Sequence, residues 1–188
     1  TGYSIASDPM DMLIFNPTSN LSRDFSKRRV DKLLRDTKEC GSLLNKDRHA
    51  DNIGDKHFQN GVFLSMAHPS VSEMAGRPVP RVALTDYDRM DDDIGGDGSP
   101  YDLASKRTTT FGSYRMCLAE SSPSRPIEDR HWVAVDGSHE APPTKGIFSL
   151  YNRGDRRRWY WACPHCQQRF EGTFDLLIAD EAHEYKNG

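Results

Sequence analysis

Two carboxylates, Asp86 and Asp88, close the short apolar run Arg81-Val-Ala-Leu-Thr85, and Met90 and Asp91-Asp92-Asp93 follow them. A strand buried in a parallel sheet reads as a nearly continuous apolar segment, and ligands bind just beyond its carboxyl end. An acid at that point can hold a magnesium ion carried by a phosphate group. The same letters also describe a buried strand running into a solvated acidic turn, and taken alone they leave both readings open. A second apolar run, residues 174–179, ends in Asp180 and Glu181. By the same logic it offers an alternative magnesium ligand and base.

A different chemistry gathers near the end of the chain. Arg156, Arg157 and Arg158 precede Trp159-Tyr160-Trp161, and Cys163-Pro-His-Cys166 follows. Two cysteines in this spacing, between aromatics on an expected hairpin turn, supply half of a tetrahedral zinc site. No second such pair exists, Cys40 and Cys117 are isolated, and His165 sits inside the loop, so the expectation is a ribbon-like hairpin with an incomplete zinc set. Guanidinium groups beside indole rings suit contact with a nucleic-acid backbone and stacking on bases. They equally suit a structural hairpin with a solvated basic base.

The elements that must position these groups can be placed from the pattern. Residues 2–7 read as the end of a helix. Met12-Leu-Ile-Phe15 reads as a buried strand closed by Asn16-Pro17, with Thr18 or Ser19 as N-cap of the next helix. From 20 to 38 the pattern is amphipathic, with Leu21, Phe25, Val30, Leu33 and Leu34 on one face and Arg23, Lys27, Arg28, Lys32 and Arg35 on the other; Gly41 is the expected C-cap. That basic face is either solvated or a phosphate-contacting surface. Residues 57–66 read as a hairpin in which Asn60-Gly61 supplies both positive φ angles of a tight turn. A loop with a short helical piece occupies 70–80, and 91–100 is a glycine-rich connector. Residues 103–110 read as a helix exposing Lys106 and Arg107, Met116-Cys-Leu-Ala119 as a strand ending in Glu120 and small hydroxyls, and 124–158 as irregular. Buried runs alternating with helices predict an α/β domain with a mostly parallel sheet.

Composition narrows the classes. The chain has 188 residues, 36% of them hydrophobic, enough for one domain with a core and a small appendage. A net charge of -3 gives no global electrostatic argument for nucleic acid, although acid concentrates at 86–93 and base at 23–35 and 153–158. Four cysteines fit a reducing compartment and a metal site better than a disulfide framework. No stretch is long and apolar enough to span a membrane, and no signal segment opens the chain. A start at Thr1 without methionine, and a stop just after an apolar run, read as a fragment.

Six pieces in order carry a family resemblance. They are Asn16-Pro-Thr18 with the following Arg-Asp-Phe-Ser-Lys-Arg helix, Ala75-Gly-Arg-Pro78, residues 82–88, Lys106-Arg-Thr-Thr-Thr110, Glu120-Ser-Ser-Pro123 with Pro126-Ile-Glu-Asp129, and residues 151–155 through 159–166. Together they resemble the ATPase region of the GpA-type large terminase subunit of tailed phages, which packages double-stranded DNA into procapsids. The resemblance runs to about Phe174 and implies an incomplete P-loop, RecA-like ATPase domain over 1–150 and the Cys-x-x-Cys hairpin over 151–174; residues 175–188 read from their own pattern as a strand and the start of a helix, and fit the family less well. It implies ATP and Mg2+ as cofactors, with Asp86 on the magnesium, and Ser121, Ser122 and Pro123 coupling hydrolysis to DNA movement. It implies a small terminase subunit and a portal as partners, a homo-oligomer, and a site of action in the host cytoplasm at the procapsid. Two departures matter. The phosphate-binding loop Gly-x-x-x-x-Gly-Lys-[Ser/Thr] is absent and is expected upstream of Thr1, and Tyr87 stands where the water-activating glutamate follows the magnesium ligand, leaving Asp88 as a substitute base. The family's endonuclease domain is expected beyond the last residue, and these 188 residues alone are not expected to hydrolyse ATP. The tetrapeptide Asp180-Glu181-Ala182-His183 resembles a motif of superfamily-two helicases; a four-letter match is read first as a coincidence within the terminase or a junction in a mosaic sequence, with a helicase-like fragment as one alternative function and a non-catalytic DNA-binding or assembly module as the other.

Overall fold

A computed structural model of the chain describes residues 1–135 and 137–172. Its centre is a five-stranded sheet in the order β2-β3-β1-β4-β5. The strands are β1 (Met12–Phe15), β2 (Asp55–His57), β3 (Phe63–Ala67), β4 (Arg81–Leu84) and β5 (Met116–Ala119). β1 runs parallel to both β3 and β4, β4 is parallel to β5, and only the edge strand β2 is antiparallel. The mostly parallel α/β sheet expected from the sequence is present.

Burial explains why these short runs are strands. β1 and β4 are buried at every position, as strands covered on both faces must be. Alternate residues go to opposite faces. Met12, Ile14 and Ala83 join Ile5, Val30, Leu34, Leu64 and Met66 on one side, while Leu13, Phe15, Val82 and Leu84 join Met74, Val79, Met90 and Ala104 on the other. The first face is covered by α1 (Gly2–Ala6), the helical stretch α2 (Ser19–Phe25) and α3 (Asp31–Asp36), and α4 (Lys38–Gly41). The second is covered by α5 (Val71–Met74), α6 (Pro100–Thr108) and, through Leu150, α7 (Ile147–Arg153). Burying side chains such as Phe15, Leu84 and Val82 is worth about 1.5–3 kcal/mol each, which is what fixes the strands in register.

Several local expectations are corrected. Thr18 does cap α2, accepting the Leu21 amide at 3.2 Å. A π-helical segment, Ser26–Val30, then joins α2 to α3, so the buried stripe runs Ser22, Ser26, Val30, Leu34, and Leu21 is left exposed. Gly41 lies inside α4 and is not the C-cap, because the long helix ends at Asp36 with Thr37 extended. The glycine is needed for space: a Cβ there would lie 2.1 Å from the Leu34 carbonyl oxygen. The hairpin exists, but five residues separate the paired His57 and Phe63, and only Gly61 of the Asn60-Gly61 pair has positive φ.

β5 is half-exposed because it lies at the edge of the described sheet, with Leu118 and Met116 open to solvent. Arg107 is buried against backbone, donating to the carbonyls of Arg77 and Glu73, whereas an exposed side chain was expected. α7 falls inside a stretch read as irregular. Beyond it, β6 (Tyr160–Ala162) and β7 (Arg169–Glu171) form an antiparallel pair around the Cys-x-x-Cys turn. Among the described residues no helix is long and apolar enough to cross a membrane. Asp180 and Glu181, and with them the helicase-like tetrapeptide, lie outside the described residues.

Candidate functional site

The register of the parallel strands decides where chemistry can occur. Phe15, Leu84, Ala119 and Ala67 are aligned across β1, β4, β5 and β3, so these four strands end level at their carboxyl ends. The next residues, Asn16, Thr85 and Glu120, continue the ladder with amides donated to Ala67, Phe15 and Leu84. β1 has β3 on one side and β4 on the other, so the chain leaves β1 for one neighbour and later returns to the opposite one. A crevice beyond the carboxyl ends at such a switch is where open α/β sheets bind ligands.

Asp86 stands there. Thr85, the first residue past β4, is tied down by the Asn16 amide nitrogen at 2.6 Å and by its own bond to the Phe15 carbonyl at 3.2 Å. Asn16 is buried, and its Oδ1 has no partner among the described residues. At Asp86 the backbone turns left-handed, with φ 53° and ψ 45°, a conformation asparagine and aspartate tolerate better than most residues. The turn sends the Asp86 side chain outward and Tyr87 inward. The Asp86 carboxylate is exposed and makes no hydrogen bond or ion pair with a described residue, while its amide is held by the Glu120 carboxylate at 3.3 Å. Tyr87 is buried in the core cluster with Leu84, Met90 and Ile94, and burial pushes its phenol above the usual value.

Asp88 has the opposite environment to Asp86. It is 5% exposed. One carboxylate oxygen accepts the Ser124 amide at 2.8 Å and the other the Ile147 amide at 2.6 Å, while the Asp88 amide donates to Ser121 Oγ at 3.1 Å. Gly146, with φ +77°, lies so close that a Cβ would come within 2.3 Å of Asp88 Oδ1. Expected as a substitute base, this carboxylate is instead occupied in holding backbone.

The structure brings the other expected residues to one place. An open groove of about 610 Å³ has Ser121 and Pro123 in its lining together with Arg157, Arg158 and Trp159, and Ile147 and Tyr151 of α7 line it too. Ser122 is exposed beside it. The three arginines are each ion-paired: Arg156 with Glu140 at 2.7 Å, Arg157 with Asp155 at 2.6 Å, Arg158 with Glu171 at 2.6 Å. Ion pairs this close to the surface contribute little to stability. The two indoles divide the roles left open by the sequence. Trp161 packs edge-on against Phe170 at 6.0 Å and against Gly172, holding the hairpin, whereas Trp159 is 78% exposed.

At the hairpin turn, backbone amides of Cys166 and His165 directed at the Cys163 sulfur hold its pKa below the usual thiol range. Only two thiols are contributed, and among the described residues no group of three or more His, Cys, Asp or Glu could hold a metal ion. Zinc is therefore not supported by the described residues. Magnesium makes a smaller demand, one or two carboxylates with phosphate oxygens and waters completing its shell, and the free Asp86 carboxylate fits it.

Sequence reasoning missed Glu120 as the side chain that fixes Asp86, Gly146, and helix α7. The last had a signal in Ile147, Leu150 and Tyr151, which recur at helical spacing. No curated protein and no solved structure matches the chain. A family model does, described as phage terminase large subunit gpA, ATPase domain, and it matches residues 1–187. With that match over nearly its whole length, the chain belongs to the family of the ATPase domain of the phage terminase large subunit gpA.

Proposed function

We propose that this chain is part of an ATP-driven motor that packages double-stranded viral DNA into procapsids. Family membership carries a general role in phage DNA packaging and an ATPase domain, hence ATP with magnesium. The observation that supports the finer reading is the position of Asp86, a free carboxylate at the level carboxyl ends of β1, β4 and β5, beside the switch point. We assign Asp86 to the magnesium ion, whose chemistry when bound is to neutralise charge on the phosphates. The fold is read as P-loop, RecA-like, with the phosphate-binding loop supplied by sequence other than these residues, which contain no Gly-x-x-x-x-Gly-Lys-[Ser/Thr]. Residues 121–123 couple nucleotide state to DNA, and Arg156, Arg157, Arg158 and Trp159 contact the duplex, since both sets line or flank one groove. The working assembly is a homo-oligomer acting with a small subunit and a portal at the procapsid in the host cytoplasm.

The test is nucleotide binding by the full-length gene product. Magnesium-dependent ATP binding that Asp86→Asn weakens supports the reading; binding indifferent to magnesium and to that substitution sinks it. Burial of Tyr87 where an activating glutamate is expected favours one second reading, a non-catalytic DNA-binding or assembly module. That reading requires DNA affinity that is salt-sensitive yet indifferent to nucleotide.

A further inference from the structure

We infer that Asp88 is a positioning residue that ties the nucleotide end of the sheet to the wall of the groove; this rests on the function proposed above. Every link is a hydrogen bond between the end of β4 or the segment after it and the segment after β5, or onward to α7. The Glu120 amide donates to Leu84 at 3.0 Å, the Tyr87 amide to the Glu120 carbonyl at 3.0 Å, and the Asp86 amide to the Glu120 carboxylate at 3.3 Å. Asp88 closes the series with Ser121 on its amide and Ser124 and Ile147 on its carboxylate. Ser121 and Ile147 themselves line the groove. Asp86 and Asp88 are two residues apart, so a shift of the Asp86 backbone must either move Asp88, and with it both groove segments, or break these bonds.

The chemistry selects a carboxylate at this position. Two backbone amides converge on the side chain, so both of its terminal atoms must accept. An asparagine can accept from one amide only, and its NH2 would face the other, leaving a buried donor unsatisfied. Gly146 leaves no room for a longer side chain or for its own Cβ.

The experiment uses the full-length gene product and follows amide hydrogen exchange with and without MgATP. In the wild type MgATP is expected to change exchange at residues 120–124 and 146–150. In Asp88→Asn that response is expected to vanish while MgATP affinity stays within about threefold of wild type. Gly146→Ala, which presses on the same carboxylate from the other side, is expected to reproduce the loss, and the double variant to add nothing. Should Asp88→Asn fail to fold, Ser121→Ala, which removes the acceptor of the Asp88 amide together with a short-range bond to the Ser122 carbonyl, is expected to weaken the response. An unchanged response in these variants overturns the inference, as does loss of response and of MgATP binding together, which is what a merely structural residue would give. A wild type that does not bind MgATP removes the proposed function itself, and the inference with it.

Discussion

Asp86 and Asp88 are two residues apart and belong to different worlds. A left-handed turn at Asp86 leaves one carboxylate open at the strand ends and buries the other among backbone amides. Asp86→Asn is therefore expected to weaken ATP binding about tenfold or more in the presence of magnesium and hardly at all in its absence, because only the metal-borne part of the interaction is lost; calorimetry with and without a chelator checks this. The cysteines separate just as sharply. Burial pushes the Cys117 thiol up to about 12 and raises that of Cys40 as well. The thiolate is the reactive form, so Cys40 and Cys117 are expected to resist iodoacetamide through pH 9 in the folded chain while Cys163, whose pKa is lowered, and the exposed Cys166 are modified; peptide mapping after timed alkylation reads the order. The Asp86 position could be read from the sequence because an apolar run ending in acid marks a strand end. The role of Asp88 could not, because its partners Ser124 and Ile147 are 36 and 59 residues away.

At the scale of elements, strands were legible and connections less so. β1 and β4 are continuous apolar runs because both faces are covered, and such runs are visible in any sequence. The π segment within the α2–α3 stretch was not legible, since helical periodicity counts on an unbroken α turn, whereas the wider turn here keeps Ser22, Ser26, Val30 and Leu34 on one buried stripe. Arg107 followed no pattern either, because its burial is paid back by carbonyls of Glu73 and Arg77 that only the fold brings near.

Lys56 on β2 is a comparable case. It is 3% exposed and bonded to Asp31 of α3 at 2.8 Å and to Asp51, and although burial is the largest single influence and lowers its pKa, the two carboxylates together raise it. A lysine whose folded pKa lies above its unfolded one stabilises the fold fully below the unfolded value and loses that contribution as pH rises through the folded value. The tie between β2 and α3 is thus expected to hold through neutral pH and to weaken only above the ordinary lysine value of 10.5. Replacing Asp31 and Asp51 together by alanine strands a buried charge and is expected to lower stability by about 3 kcal/mol, as measured by urea unfolding at pH 7, whereas Lys56→Met is expected to cost less.

The whole molecule sets the carboxyl ends of the parallel strands, the proposed nucleotide end, beside a groove lined in part by Arg157, Arg158 and Trp159, and Asp88 links that end to residues 121–124 and α7. Arg157→Ala and Trp159→Ala are expected to act differently on DNA. The first should reduce the slope of log affinity against log salt by about 0.9 for each lost phosphate contact, and the second should lower affinity without changing the slope, as fluorescence titrations over a salt series would reveal. The basic cluster at 153–158 was legible in the sequence although the net charge of -3 gives no sign of it, whereas its partners Glu140, Asp155 and Glu171 were not.

The most direct measurement is ATP turnover by the full-length gene product, with and without duplex DNA, in the wild type and in Asp86→Asn. Turnover is expected to be stimulated by DNA in the wild type and to fall at least about a hundredfold in Asp86→Asn, with DNA affinity unchanged within about twofold. Turnover that survives the substitution, or DNA binding that ignores MgATP in a wild type without turnover, would contradict this expectation.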